Sequence, residues 1–139
     1  MKLNPYLNFN GNCRAAFEFY QQHLGGKITF VMTYGQNPDA HEAAKQPDAI
    51  LHASIEIAGV QLQASDVLRD DYQPIHSSYL SLVLDSIEEA ERVFGLLTEG
   101  GQTFLPMQET FWAHRFGMCR DRFGVPWMIS AERPMPAAP

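Results

Sequence analysis

Residues 13–26 read CRAAFEFYQQHLGG, and residues 87–101 read IEEAERVFGLLTEGG. Ala15, Phe19, Gly25 and Gly26 recur 75 positions later as Ala90, Phe94, Gly100 and Gly101. In the first stretch Cys13, Ala16, Phe17, Tyr20 and Leu24 fall on one helical face. Asn12 stands where an N-cap would, and Gly25-Gly26 stops the segment. In the second stretch Ser86 with Glu89 has the pattern of a capping box, and Gly100-Gly101 ends it. The chain is therefore expected to contain the same helical element twice.

A second repeat lies at another offset. Residues 59–65 read GVQLQAS and residues 124–130 read GVPWMIS, 65 positions on. The first copy carries about ten extra residues, which fit the polar, proline-containing segment Gly35–Ala49, read as a loop or flap. Strands are expected at Tyr6–Asn10, Ile28–Tyr34, Ile50–Ala58 and Val60–Ser65 around the first helix. Around the second they are expected at Tyr79–Asp85, Thr103–Gln108, His114–Arg120 and Val125–Ala131. The expected fold class is α+β: two β-α-β-β-β modules, 1–68 and 77–131, within one domain of residues 1–131. Arg69–His76 reads as the linker between the copies, and residues 132–139 as a flexible tail.

Alternation along a strand assigns faces. Leu7 and Phe9, Leu80, Leu82 and Leu84, and Leu51, Ala53, Ile55 and Ile57 should pack under the helices. Tyr6, Asn8, His52, Ser54, Glu56, Gln61, Gln63, Ser65, Tyr79, Ser81 and Val83 then occupy the opposite faces. Two such curved sheets side by side would make a mixed-sheet cup lined by polar and aromatic groups, the usual form of a small-molecule pocket. The same pattern also describes the solvated face of an antiparallel sheet, so both readings stand at this stage. The binding candidates are Tyr6, Asn8, His52, Glu56, Gln63, Tyr79, Ser81, Trp112 and His114. Trp112 offers a ring to a flat ligand, and Trp127 reads as core or interface packing. His52 and His76 are the metal candidates. No pair of histidines has a metal-type spacing. His23 and His41 read as surface residues.

Composition narrows the function classes. The 139 residues suit one domain. The net charge of -6, with ten scattered Lys and Arg, lacks the basic stripe of a nucleic-acid binder. No apolar run approaches the ~20 residues of a membrane helix. MKLNPYLNF at the start reads as a strand rather than a signal peptide. Cys13 and Cys119 have no metal or redox spacing and read as reduced, partly buried thiols. The expectation is a cytoplasmic protein with no membrane or nucleic-acid partner.

The stretches YLNFNGNCRAAFEFYQQHLGG and QETFWAHRFGMCRDRFGVPWMIS resemble the PhnB-like branch of the vicinal oxygen chelate superfamily. That superfamily includes glyoxalase I, extradiol dioxygenases and the bleomycin- and fosfomycin-resistance proteins. The resemblance spans Asn4 to about Ser130, and the Asp121-Arg122-Phe123-Gly124 turn is similar to the superfamily's Asp-Pro-x-Gly turn. It implies paired modules, assembled as a homodimer. Catalytic members hold a divalent metal with His and Glu ligands on the first and last strands, as a Lewis acid. Counted from the turn, the usual ligand Glu falls at Met128, and its counterpart in the first copy is Gln63. The first strand offers Asn4, Tyr6 and Asn8 and no His. The usual His/His/Glu set is therefore absent, and the cofactor is left unassigned.

Two functions follow. One is a binding protein that holds a small molecule in the cup, as bleomycin-resistance proteins do. The alternative is a divalent-metal-dependent lyase, isomerase or dioxygenase acting on a small oxygenated substrate. Some relatives carry a quinone-methyltransferase label. The chain lacks the Gly-rich strand-to-helix loop of a Rossmann-like cofactor site, so methyl transfer is not expected.

Overall fold

A computed structural model describes residues 1–37, 39, 45–68, 70 and 72–134. The chain divides into two compact units, Met1–Gln73 and Pro74–Pro139. The first unit runs β1 (Tyr6–Phe9), α1 (Cys13–His23), β2 (Lys27–Thr33), a single 3-10 turn (Tyr34–Gln36), β3 (Ile50–Ile57) and β4 (Val60–Asp66). The second runs β5 (Leu80–Val83), α2 (Ile87–Thr98), β6 (Gln102–Gln108), β7 (Ala113–Arg120) and β8 (Pro126–Glu132). The two β-α-β-β-β copies expected from the repeats are both present, and the α+β class holds.

Each unit forms one four-stranded mixed sheet. The orders are β1-β4-β3-β2 and β5-β8-β7-β6. The first strand runs parallel to the last, and the other pairs are antiparallel. Register makes the repeat exact in position. Tyr6 pairs with Gln63, and Ser81 pairs with Met128. Both β2 and β6 carry an irregularity after their second residue, between Ile28 and Phe30 and between Thr103 and Leu105. The structural counterpart of Tyr6 is thus Ser81, 75 residues on. Tyr79 lies two residues before it and precedes β5.

Each helix lies across one face of its sheet. α1 packs on β2, β3 and β4, and α2 on β6, β7 and β8. In the first unit Leu7, Phe9, Cys13, Ala16, Phe17, Tyr20, Ile55 and Leu62 are buried. The rings of Phe9 and Phe17 meet edge to face at 6.1 Å. In the second, Ala90, Val93, Phe94 and Leu97 are buried, as are Cys119, Trp127 and Ile129. Each large apolar side chain removed from water contributes about 1.5–3 kcal/mol. The double glycine after α2 serves close approach: a Cβ on Gly101 would lie 2.2 Å from the Arg120 carbonyl oxygen.

Several expectations are corrected. The Asn12 side chain does not cap α1. Asp66, at the end of β4, supplies the oxygen instead: Cys13 N–H donates to its Oδ1 at 3.0 Å and Ile50 N–H to its Oδ2 at 2.8 Å. A carboxylate outweighs an amide oxygen at a helix N-terminus because of the helix dipole. Ser86 caps α2 by accepting from Glu89 N–H at 3.1 Å. The Glu89 carboxylate turns to Arg92, which holds it below the usual carboxylate range. Leu51 is only half-buried, and Ile50 takes the core position. Ile50 is where Asp66 draws the start of β3 inward.

The expected tail begins too early. Glu132 belongs to β8, Arg133 N–H donates to the Trp112 carbonyl, and the Arg133 guanidinium pairs with Glu109. The remainder of the tail, 135–139, lies outside the described residues, as do His41 and the middle of the expected flap, 38 and 40–44. The ends of that flap are closed by Tyr34 N–H to Ala49 O and Gly35 N–H to Pro47 O, each at 2.9 Å.

Candidate functional site

In each unit the sheet face opposite the helix gathers the polar candidates. On the first sheet, Tyr6 and Asn8 lie on β1, His52, Ser54 and Glu56 on β3, and Gln63 and Ser65 on β4. Phe30 and Met32 join them from β2, opposite Ser54 and His52. His52 is the centre of this group. Its ring lies 5.6 Å from Tyr6, stacked, and 5.7 Å from Phe30. Tyr6 Oη and His52 Nδ1 are hydrogen-bonded at 3.0 Å. Whichever of the two carries the proton, Nδ1 is engaged. His52 Nε2 has no partner among the described residues. A neutral imidazole whose Nδ1 accepts from the phenol presents an Nε2–H donor on this face.

The other candidates on this sheet are looser. Asn8 is exposed and accepts from the Ser65 hydroxyl at 3.4 Å. Glu56 is exposed, with Lys27 and Gln61 as its register neighbours. Gln63 is half-buried between Tyr6 and Ser54 in register. Ser54, expected on the polar face, is there but only 3% exposed. The Tyr6–His52–Phe30 grouping needs strand register, because its members lie 46 and 22 residues apart in sequence. Phe30 was missed because it stands beside an irregularity in β2 that breaks the simple alternation.

The open face of the second sheet is more aromatic. Trp112 is half-buried, edge to face with Phe111 at 4.9 Å and with Phe116 at 5.4 Å. His114 and Ser81 are exposed. Tyr79 is half-buried and meets Phe104 edge to face at 6.4 Å. Arg120 places its guanidinium carbon 5.3 Å from the centre of the Phe104 ring, and its Nη2 donates to Ile75 O at 2.7 Å. Arg120 and Phe104 were not among the sequence candidates, because a lone arginine before a turn carries no motif. His76 is exposed before β5. His23, read as a surface residue, is half-buried against Phe19 at 4.5 Å. Trp127 is core: it is 2% exposed and its Nε1–H donates to Asp121.

The donor set does not fit the superfamily's metal. Among the described residues no group of three or more His, Cys, Asp or Glu side chains is placed to hold an ion. Met128 has Ser81 and Met118 as register neighbours, and a thioether suits soft rather than hard cations. Gln63 has Tyr6 and Ser54. The His52 Nδ1 is already bonded to a phenol. Cys13 and Cys119 are fully buried, and burial pushes both thiols up to about 12. They are neutral core groups at ordinary pH.

Comparison with known proteins gives the lineage. The model of the family described as 3-demethylubiquinone-9 3-methyltransferase matches residues 1–130. Protein YjdN of Escherichia coli (strain K12) is 41% identical over 150 aligned positions, covering 98% of this chain and 99% of YjdN. The crystal structure of PA1353 from Pseudomonas aeruginosa superposes with a TM-score of 0.85 at 43% identity, over 96% of this chain and 99% of that one. The PhnB protein of Bacillus cereus gives 0.81 at 22% identity, over 94% and 99% of the two chains. The fosfomycin resistance protein FosX of Listeria monocytogenes gives 0.63 at 12%, over 94% and 92%. The last two show likeness of fold alone. Among the described residues no helix is long and apolar enough to cross a membrane.

Proposed function

The chain belongs to the PhnB-like branch of the vicinal oxygen chelate superfamily, in the family described as 3-demethylubiquinone-9 3-methyltransferase, and from that premise we propose that it binds a small oxygenated molecule without a metal. Family and fold indicate a glyoxalase/bleomycin-resistance-like small-molecule-binding domain. The observation that carries the metal-free reading is the His52 cluster. A half-buried imidazole flanked by two rings, with Nδ1 held by Tyr6, is oriented to offer Nε2 to an oxygen of a ligand. A histidine on a merely solvated face needs no such fixing. Asn8, Glu56 and Gln63 are the further contacts we assign on that sheet. Tyr79, Ser81, Trp112 and His114 are those we assign on the second. We place the protein in the cytoplasm as a homodimer.

The family's descriptive name includes methyl transfer. In this chain the β1–α1 turn is Asn10-Gly11-Asn12, with none of the glycine clustering that cradles a nucleotide cofactor. The test is binding by the full chain, followed by thermal shift. A panel of small carbonyl, phenolic and hydroxy compounds should yield stabilising ligands, with the shift lost in His52→Ala and reduced in Tyr6→Phe. Zinc, nickel, iron or manganese bound one per chain and lost in His52→Ala or His76→Ala would replace this reading with the metal-dependent lyase, isomerase or dioxygenase. Tight binding of S-adenosylmethionine would replace it with methyl transfer.

A further inference from the structure

Arg120 has an internal reference in the first unit. Register aligns β3 with β7: Ser54 pairs with Gln63, as Met118 pairs with Met128. Two residues along each strand, the counterpart of Glu56 is Arg120. Glu56 has an opposite charge across the strand pair, since Lys27 is its register partner. Arg120 has neutral Gln102 there and Pro126 on its other side. The chain holds 16 Asp and Glu against 10 Lys and Arg. Even so, no carboxylate pairs with Arg120 among the described residues. Its Nη2 is held by a main-chain carbonyl, its ring partner is Phe104, and its Nε is buried with no acceptor among the described residues.

We infer that Arg120, fixed by Ile75 and Phe104, is an anion subsite that receives the carboxylate of an aromatic or otherwise planar small molecule. Three arguments converge. The desolvation of this half-buried guanidinium is not offset by any carboxylate among the described residues. Its orientation is already set by the Ile75 carbonyl and the face of Phe104, so little side-chain entropy is lost when a ligand pairs with it. Beside it stand Tyr79 and Phe104, arranged edge to face, an apolar bed for the ring of such a ligand. The inference deepens the proposed function by naming the ligand class, and it rests on that reading of the open sheet faces. Its test separates the two.

The experiment is amide and guanidinium NMR titration of the full chain with benzoate, benzyl alcohol and inorganic phosphate. Benzoate should bind about tenfold tighter than benzyl alcohol and shift the Arg120 Nε–Hε signal. Phosphate should bind more weakly than benzoate, because it has no ring to place on Phe104 and Tyr79. Arg120→Met should erase the preference for benzoate over benzyl alcohol, and Arg120→Lys should retain part of it. Equal affinity of benzoate and benzyl alcohol for the unaltered chain would overturn the anion subsite while leaving small-molecule binding intact. So would benzoate shifts that map away from Arg120. The comparison on the unaltered chain needs no variant to fold. Failure of every panel compound to bind, in the test of the proposed function, would remove that broader reading instead.

Discussion

The indole Nε1–H of Trp127 donates to Oδ2 of Asp121 at 2.9 Å, and both residues are buried. The other oxygen, Oδ1, accepts from Phe123 N–H at 3.0 Å and Val125 N–H at 2.9 Å. One carboxylate thus fixes the turn after β7 and the first large core residue of β8. Asp121→Ala should destabilise the chain by about 2–4 kcal/mol, since three donors lose a charged acceptor. Urea unfolding followed by tryptophan fluorescence measures this. A change under about 0.5 kcal/mol would show that the turn does not depend on the carboxylate.

The hairpin joining β3 to β4 has positive φ at both central residues, 51° at Ala58 and 78° at Gly59. That is the type I′ geometry whose twist matches a hairpin. Alanine is strained there, so Ala58→Gly should raise stability by about 0.5–1 kcal/mol and Ala58→Val should lower it. Paired denaturation curves check the sign. A loss of stability in Ala58→Gly contradicts the strain.

Gly117 lies under α2. A Cβ there would meet Phe94 Cε2 at 2.8 Å and Met107 Sδ at 2.7 Å. Met107 can swing away, but the buried Phe94 ring has less room. Gly117→Val should cost about 1–3 kcal/mol, and pairing it with Phe94→Leu should recover part of that loss. A double-variant cycle without coupling would mean the two positions do not touch.

Cys13 and Cys119 should resist thiol reagents in the native state at pH 8 and react at the unfolding rate. Burial is the larger cause of their high values, about 12, with Asp66 and Asp121 adding to it. Because the folded value is raised, the neutral thiols stabilise the fold fully below about pH 9. That stability is lost as pH rises through 9 toward 12, where the unfolded chain sheds the proton first. The Cys13→Ala/Cys119→Ala variant should therefore show a shallower alkaline fall in its urea midpoint. Rapid labelling of either thiol in native protein would contradict the burial.

Much of this was legible in the sequence, and the unread part has a physical pattern. The two modules followed from Ala15/Ala90, Phe19/Phe94 and the GVxxxxS pair, because helix faces and turns are local. The open-face membership of Tyr6, His52 and Gln63 followed from period-two alternation. What alternation cannot supply is register across strands. The expected strands begin at Tyr6 and Tyr79, whereas the sheets match Tyr6 to Ser81. Asp66 as the α1 cap was hidden for the same reason: it lies 53 residues from Cys13. Arg120 escaped notice because its contacts with Phe104 and the Ile75 carbonyl join residues 16 and 45 positions away.

The matched irregularities in β2 and β6 give the two sheets one main-chain frame. The kink recurs after the second residue of each strand, so both sheets break their alternation at the same point. Its repetition places the residues that follow it, Phe30 and Leu105, at equivalent points of their strands. On that frame the open faces differ: one position bears an acid, Glu56, and its counterpart a base, Arg120. One main-chain frame thus presents opposite charges at corresponding positions of its two copies.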